Sequence, residues 1–526
     1  MGEEARVGRE QRSVLDMPAE EFRYLGHGLI DQIADFYESL PKRALSRATG
    51  PAALRTLIGT GELPERATDA GRLLADVAPV LFDHSLHNGH PRFMGYITSS
   101  AAPLGVLADL LATAVNANVA KWDLSPLASE IEAQTIRWIA DLTGYPRDCG
   151  GLMVSGGTMA NFLAFVAARD AGAPWDIRQT GNHGERWPLT VYASEATHTW
   201  IEKAADVCGM GAGAVRWIGT DDAGRMRPNL LRERLDADLG EGCFPFLVVG
   251  TAGSVSTGAI DPLRELAVLC REYRLWFHID GAYGAAAAML PEAPDDLHAL
   301  ALADSVAIDP HKWLYCPIEA GCVLTKHQDA LRAAFAYRPD YYHIDEEQSG
   351  TNYYELGMQN TRAFRALKMW LALRRAGRAG YRDSIRGDIR LAEALFARLS
   401  EHPEFETNSR NLSIAIFRYV PQDIEHNNAA AEDYLDTLNR ALLAELQAGG
   451  ELFLSNAVVD GRYLLRACIV NFRTQQNDIE AITSIIAEAG RRLDRTMRSP
   501  IPRQDIAARL PPASEPGNLA AERFNR

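Results

Sequence analysis

Between residues 18 and 40 the apolar residues Phe22, Leu25, Leu29, Ile30, Ile33, Phe36, Tyr37 and Leu40 recur at helical spacing, with polar residues between them. That pattern predicts an amphipathic helix, and Pro18 suits a position near its start, where no backbone donor is needed. Residues 103–121 and 126–144 read as two further helices, separated by the stretch WDLSP. From about residue 150 the period changes. Short β-rich runs at 189–194, 244–252, 275–280, 305–309 and 321–325 alternate with helical stretches. Strands alternating with helices imply βαβ units and a mostly parallel sheet. From about residue 375 the chain turns helix-rich, with strand candidates at 412–420 and 463–471, the texture of a smaller α+β domain. Residues 1–15 and the proline-rich C-terminal tail carry no such period and are expected to be loose.

Length changes this picture little: 526 residues exceed one ordinary core, so two or three units are expected. Charge excludes more. A formal net charge of -15 repels phosphate backbones, so nucleic acid is not an expected partner. No run of 18 apolar residues occurs, so no membrane span is expected. The charged opening MGEEARVGREQRS lacks the apolar core of a signal peptide. The seven cysteines are scattered, odd in number and without a CxxC pair, as for reduced thiols in a cytoplasmic protein.

Four polar features fall where β-rich runs end, which in open α/β sheets is where ligands bind. Ser155-Gly156-Gly157-Thr158 opens a helical stretch, and small residues there admit a phosphate, although they also serve an ordinary helix start. Asp280 ends the apolar run of HIDGAYG, where a carboxylate calls for a cationic partner, and the small Ala282 follows. His198 follows another strand in SEATHTW. The fourth is Asp309-Pro310-His311-Lys312, with Lys312 set among aromatic and apolar neighbours. A free buried ammonium is costly, and a lysine amine of ordinary pKa, about 10.4, is too protonated to be a nucleophile. One ligand answers all four features: pyridoxal 5'-phosphate, with its phosphate, ring nitrogen, flat face and lysine-reactive aldehyde.

These segments, in this order, resemble the pyridoxal-phosphate-dependent group II amino-acid decarboxylases over roughly residues 18–495, in particular the aromatic-L-amino-acid decarboxylases. DPHKW is similar to the family's lysine motif, HIDGAYG to its aspartate segment and VSGGTMAN to its phosphate loop. HPRFMGY is similar to its substrate-side loop and RACIVNFRT to its C-terminal domain. The resemblance implies an α/β fold of the pyridoxal-phosphate-dependent transferase fold type I, with a mostly parallel seven-stranded sheet between helices. It implies an N-terminal helical arm (1–95), a large cofactor-binding domain (96–375), a small C-terminal α+β domain (376–497) and a loose tail (498–526). It further implies a homodimer with the N-terminal helices wrapped on the partner and the active site at the interface.

By position, Lys312 matches the Schiff-base lysine, Asp280 the partner of the ring nitrogen and His198 the histidine stacked on the ring. Ala282 lies beneath the ring; Gly156, Gly157, Thr158, Asp309 and His311 fall where the family holds the phosphate. His90, Tyr96 and Ser99 fall on the substrate side, and Tyr341, beside Tyr342, matches the tyrosine that protonates the quinonoid carbon after carbon dioxide leaves. Two departures stand out: Gly156-Gly157 where aromatic decarboxylases tend to have Ser-Ala, and Val255 where a threonine is common. The implied activity is decarboxylation of an L-amino acid, aromatic in preference to glutamate or aspartate. Tyr341 speaks against the aldehyde-forming variant, which carries phenylalanine there. An aminotransferase fits the motif order less well, and a cofactor-binding regulator lacks a basic DNA-binding extension. His84, His87 and His90 recur every third residue, but Gly89 and Pro91 break a helical face, so no metal is expected.

Overall fold

A computed structural model describes residues 13–59, 61–182, 188–337, 350–424 and 428–498. The larger sheet has seven strands: β1 (Gly150–Val154), β2 (Leu189–Ser194), β3 (Val215–Ile218), β4 (Phe244–Thr251), β5 (Trp276–Asp280), β6 (Ser305–Ile308) and β7 (Gly321–Thr325). Their order is β1-β7-β6-β5-β4-β2-β3. Only β7 runs antiparallel to its neighbours; the other pairings are parallel.

The central strands are continuous apolar runs because both faces are covered. Val248 of β4 joins the core that holds Leu231 and Leu266, whereas Leu247 and Val249 join the core that holds Phe165 and Trp200. Alternate side chains of one strand thus enter two cores, as a pleated strand between two helical layers requires. Parallel pairing brings the carboxyl ends of β2, β4, β5 and β6 to the same edge.

The smaller sheet has four antiparallel strands in the order β10-β11-β9-β8. They are β8 (Phe405–Asn411), β9 (Ile414–Tyr419), β10 (Ser455–Val459) and β11 (Arg462–Cys468). Leu438 and Leu442 of the helix Ala429–Gly449 and Ile482 and Ile486 of the helix Gln476–Arg498 cover it. The long helix Ala366–Glu401 bridges the two apolar cores, with Met369 and Ile385 in one and Leu395 and Leu399 in the other, and breaks at Gly377, whose φ of 62° is the left-handed conformation that glycine adopts freely.

The N-terminal helix runs from Ala19 to Ser39 and none of its residues is buried within the single chain. The expected helix over 103–121 ends at Val115, because Asn116 takes a left-handed conformation (φ 53°) and its N–H returns to the Ala112 carbonyl. No helix among the described residues is long and apolar enough to cross a membrane. Most of the proline-rich tail, and with it the expectation of looseness, lies outside the described residues.

Candidate active site

The strand ends and the turn after β1 enclose a cavity of about 360 Å³. Lys312 reaches it from the turn that follows β6, a position set by its backbone N–H on the Asp309 carbonyl at 2.9 Å. Its Nζ lies 3.2 Å from Asp309 Oδ2. Asp309 is buried, and its Oδ1 has no hydrogen-bond partner among the described residues. His311 gives its Nδ1 to the Ala320 carbonyl at 2.7 Å and turns Nε2 toward Asp309 Oδ2, 3.9 Å away.

Asp280 closes β5 and faces the same cavity. Oδ1 accepts from the Ala282 N–H at 3.2 Å, and Oδ2 from the Trp200 indole at 2.8 Å. His198 stands on the loop after β2, and its pKa is lowered, chiefly by desolvation; Asp280 opposes that shift and Lys312 adds to it. Opposite them the helix Gly157–Gly172 points its N-terminus into the cavity, with no side chain capping it. Its first N–H groups are left for an anionic ligand.

Gly157 is required by space. A Cβ there would sit 2.6 Å from Asp309 Oδ2 and 3.3 Å from the Ala282 Cβ. Overpacking of this kind costs ~1–3 kcal/mol. Gly157→Ala is therefore expected to weaken cofactor binding by roughly tenfold, measured by titrating cofactor-free protein, although alanine alone favours a helix.

Thr158 lines the cavity with Gly156 and Gly157, so the structure brings together all the expected residues of this group. The substrate-side residues differ. Ser99 is buried and donates to the His311 carbonyl at 2.9 Å, so it braces the lysine turn. Tyr96 is 61% exposed and its neighbour Ile97, not Tyr96, lines the cavity of the single chain. His90 is buried away from the cavity wall, where its Nδ1 accepts the Arg92 N–H at 3.1 Å and burial lowers its pKa to about 4. The run from Gly89 to Pro91 reads as a loop in the sequence, but its contacts with Asn471 of the C-terminal segment draw the histidine inward. Tyr341 and Tyr342 lie outside the described residues. Val255 does line the cavity, and the hydroxyl-bearing Thr251 stands nearby on the end of β4.

Three supports were missed in the sequence. Trp200 is one. The second is a chain through the sheet: the Trp276 indole donates to Ser305 Oγ at 2.8 Å, Ser305 meets His278 Nδ1 at 2.8 Å, and His278 Nε2 meets Asn161 Oδ1 at 2.7 Å. Burial lowers the His278 pKa to about 4, so the ring is neutral, and Asn161 Oδ1 can only accept, which puts the proton on Nε2. The signal was available: His278 and Asp280 are two apart on one strand and so share a face.

The third is Asp388 on the bridging helix. Its Oδ2 accepts from the Trp313 indole at 2.9 Å and the Tyr315 hydroxyl at 2.7 Å, clamping the segment after Lys312. Burial raises its pKa to about 7. Because the folded value exceeds that of the unfolded chain, about 3.9, the folded state binds the extra proton. The stability this contributes is full below about pH 4 and is lost as pH rises through about 7. Asp388→Asn is expected to flatten that part of the stability profile, measured by urea unfolding at pH 5 and pH 8. An unchanged slope would contradict the clamp's titration.

Residues 51–420 match the pyridoxal-dependent decarboxylase conserved domain. The chain belongs to this family. It is 33% identical over 468 residues to an aromatic-L-amino-acid decarboxylase of Bacillus atrophaeus, covering 88% of this chain and 94% of that one. It is 29% identical to a phenylacetaldehyde synthase of a Rosa hybrid cultivar, covering 89% and 94%. Its fold is similar to that of Oryza sativa TDC with pyridoxal phosphate and tryptamine, with a TM-score of 0.84, 25% identity and 91% and 100% coverage. The cofactor of this family member is pyridoxal 5'-phosphate, and the enzyme is a carboxy-lyase. The cavity fits that cofactor on its own terms. It offers an uncapped helix N-terminus beside a glycine crowded by Asp309, a buried Asp309 oxygen without a partner among the described residues, a carboxylate and a lysine amine.

Proposed function

We propose that the protein decarboxylates an aromatic L-amino acid to the corresponding amine and carbon dioxide. The observation that carries this reading is the meeting of the Lys312 amine, the Asp280 carboxylate and an uncapped helix N-terminus in one cavity. When bound, pyridoxal 5'-phosphate supplies an electron-withdrawing ring that accepts the electrons left by the departing carboxylate. Lys312 Nζ, which reaches the cavity beside Asp309, would hold the cofactor through its aldehyde. Asp280 would hold a proton at the cofactor's ring nitrogen, and His198 and Ala282, which line the same cavity, would cover the ring. Gly156, Gly157 and Thr158, with Asp309 and His311, surround the phosphate. Ser99, through the His311 carbonyl, sets the turn that presents Lys312. Tyr96 acts on the substrate side by way of the loop it shares with the cavity-lining Ile97, His90 anchors that loop through its carbonyl, which accepts from Asn471, and Tyr341 moves a proton to the substrate α-carbon.

The aromatic preference is supported by the Bacillus atrophaeus relative and by the tryptamine held in the Oryza sativa structure. Carbon dioxide release from each of the twenty amino acids tests it: an aromatic substrate is expected to lead, and glutamate or aspartate in the lead would overturn it. The similarity to a phenylacetaldehyde synthase favours one second reading, formation of the aldehyde, in which dioxygen would take up two electrons to give hydrogen peroxide and the amino group would leave as ammonia. Tyr341→Phe separates the two. If the wild type makes amine, the substitution is expected to cut amine formation ~100-fold and raise the aldehyde, as for loss of a general acid. Chromatography of the products reads the outcome, and amine at the wild-type rate would contradict the role of Tyr341.

A homodimer is part of the same reading. The N-terminal helix buries none of its residues, and Phe22, Leu110 and Leu111 are 61%, 55% and 54% exposed in the single chain. Apolar surface of this extent calls for a partner, and sedimentation at micromolar concentration is expected to give twice the mass of one chain. A cytoplasmic location agrees with the seven free thiols.

A further inference from the structure

We propose that Trp200 is a positioning residue for Asp280, acting through its indole N–H. The inference rests on the reading that Asp280 faces the ring nitrogen of the cofactor. The indole Nε1–H donates to Asp280 Oδ2 at 2.8 Å, while the Ala282 N–H donates to Oδ1 at 3.2 Å. One donor on each oxygen fixes the plane of the carboxylate and leaves its remaining lone pairs toward the cavity.

The indole itself has no room to turn. Trp200 is 1% exposed, edge-on to His278 at 5.9 Å and 86° and to Phe165 at 6.5 Å and 85°. The same residue reaches His198, whose Nδ1 accepts the Trp200 backbone N–H at 3.2 Å. Neutral His198 therefore carries its proton on Nε2. One tryptophan thus ties the group at the ring nitrogen to the group over the ring face. Without the indole N–H, Asp280 Oδ2 is a buried charged oxygen lacking a donor, which is costly, and the carboxylate is free to turn. The consequence falls on ligands that have a ring nitrogen.

The test replaces Trp200 in the full chain with 3-benzothienylalanine, which keeps the bicyclic shape and lacks the N–H, and separately with phenylalanine. Cofactor-free protein is titrated with pyridoxal 5'-phosphate and with its 1-deaza analogue, which has carbon in place of the ring nitrogen, and binding is read by absorbance. Wild type is expected to prefer pyridoxal 5'-phosphate. In both variants that preference shrinks by about tenfold, the effect of one hydrogen bond to a charged group, while the benzothienyl variant keeps its affinity for the analogue. A benzothienyl variant with the full wild-type preference overturns the role of Trp200. Equal loss for both ligands in both variants assigns Trp200 to packing and also overturns it. Wild type that does not distinguish the two ligands overturns the placement of Asp280, and the proposal with it.

Discussion

Lys312→Ala is expected to lower decarboxylation by a factor of ~10⁴ or more at saturating cofactor, as for removal of a group that bonds covalently to the reacting system. The side chain has one orientation that matters: it leaves a turn fixed by the Asp309 carbonyl and braced by Ser99, and it ends 3.2 Å from Asp309 Oδ2. Alanine removes the amine and leaves that turn intact, so the fold should persist and circular dichroism should be unchanged. Lys312→Arg keeps a positive charge and loses the reactive amine, and it is expected to be as inactive as alanine. Carbon dioxide release is the measurement. Lys312→Arg retaining a tenth of wild-type turnover would mean that Lys312 serves only as a charge, and Lys312→Ala retaining it would mean that the reaction does not need this side chain.

The largest effect on stability is expected at Arg362, which does not line the cavity. Its guanidinium is 2% exposed and lies 2.5 Å from Glu132 Oε1, with further bonds to the Val119 and Met153 carbonyls at 2.7 Å each. The Tyr353 ring lies 4.8 Å from its centre. Arg362→Ala leaves Glu132 buried without its cation, and breaking one side of such a pair costs ~3–5 kcal/mol. Urea unfolding of the variant should show that loss. Replacing both partners, Arg362→Met with Glu132→Leu, should recover much of it, because the orphaned charge goes too. A loss below about 1 kcal/mol in Arg362→Ala would contradict the account of the pair. Because β1 leads straight into Gly156-Gly157, weakened cofactor binding should accompany the loss.

The sequence made the lining of the cavity legible where an unusual residue type stands at a strand end. Lys312, Asp280, His198 and the glycines of 156–157 announce themselves because an amine, a carboxylate, an imidazole and bare backbone are unusual beside apolar runs. The strands 189–194 and 321–325 coincide with β2 and β7, since both are short apolar runs bounded by turns. Four strands were not legible. β1 begins with two glycines, β3 is four residues long with two of them only partly covered, and β8 is FETNSRN, an edge strand of polar residues. β10 is the opposite edge and alternates buried and exposed positions over five residues only. The edge strands β3, β8 and β10 leave part of their surface open and so carry a weak apolar signature, whereas β1 is wholly buried and is masked by its glycines. The supports of the site were hidden for a different reason. Trp200, Asn161 and Asp388 look like ordinary helix residues, and their partners lie 80, 117 and 73–75 positions away. Only the closure of the sheet brings them to Asp280, His278 and the lysine turn.

In the proposed reaction the amine of residue 312 carries the cofactor. Borohydride reduction of the purified protein, followed by peptide mass spectrometry, tests it most directly. One phosphopyridoxyl group per chain, fixed to Lys312, is the expected result. Recovery of that group on another lysine, or a protein left unlabelled after reconstitution with pyridoxal 5'-phosphate, would contradict it.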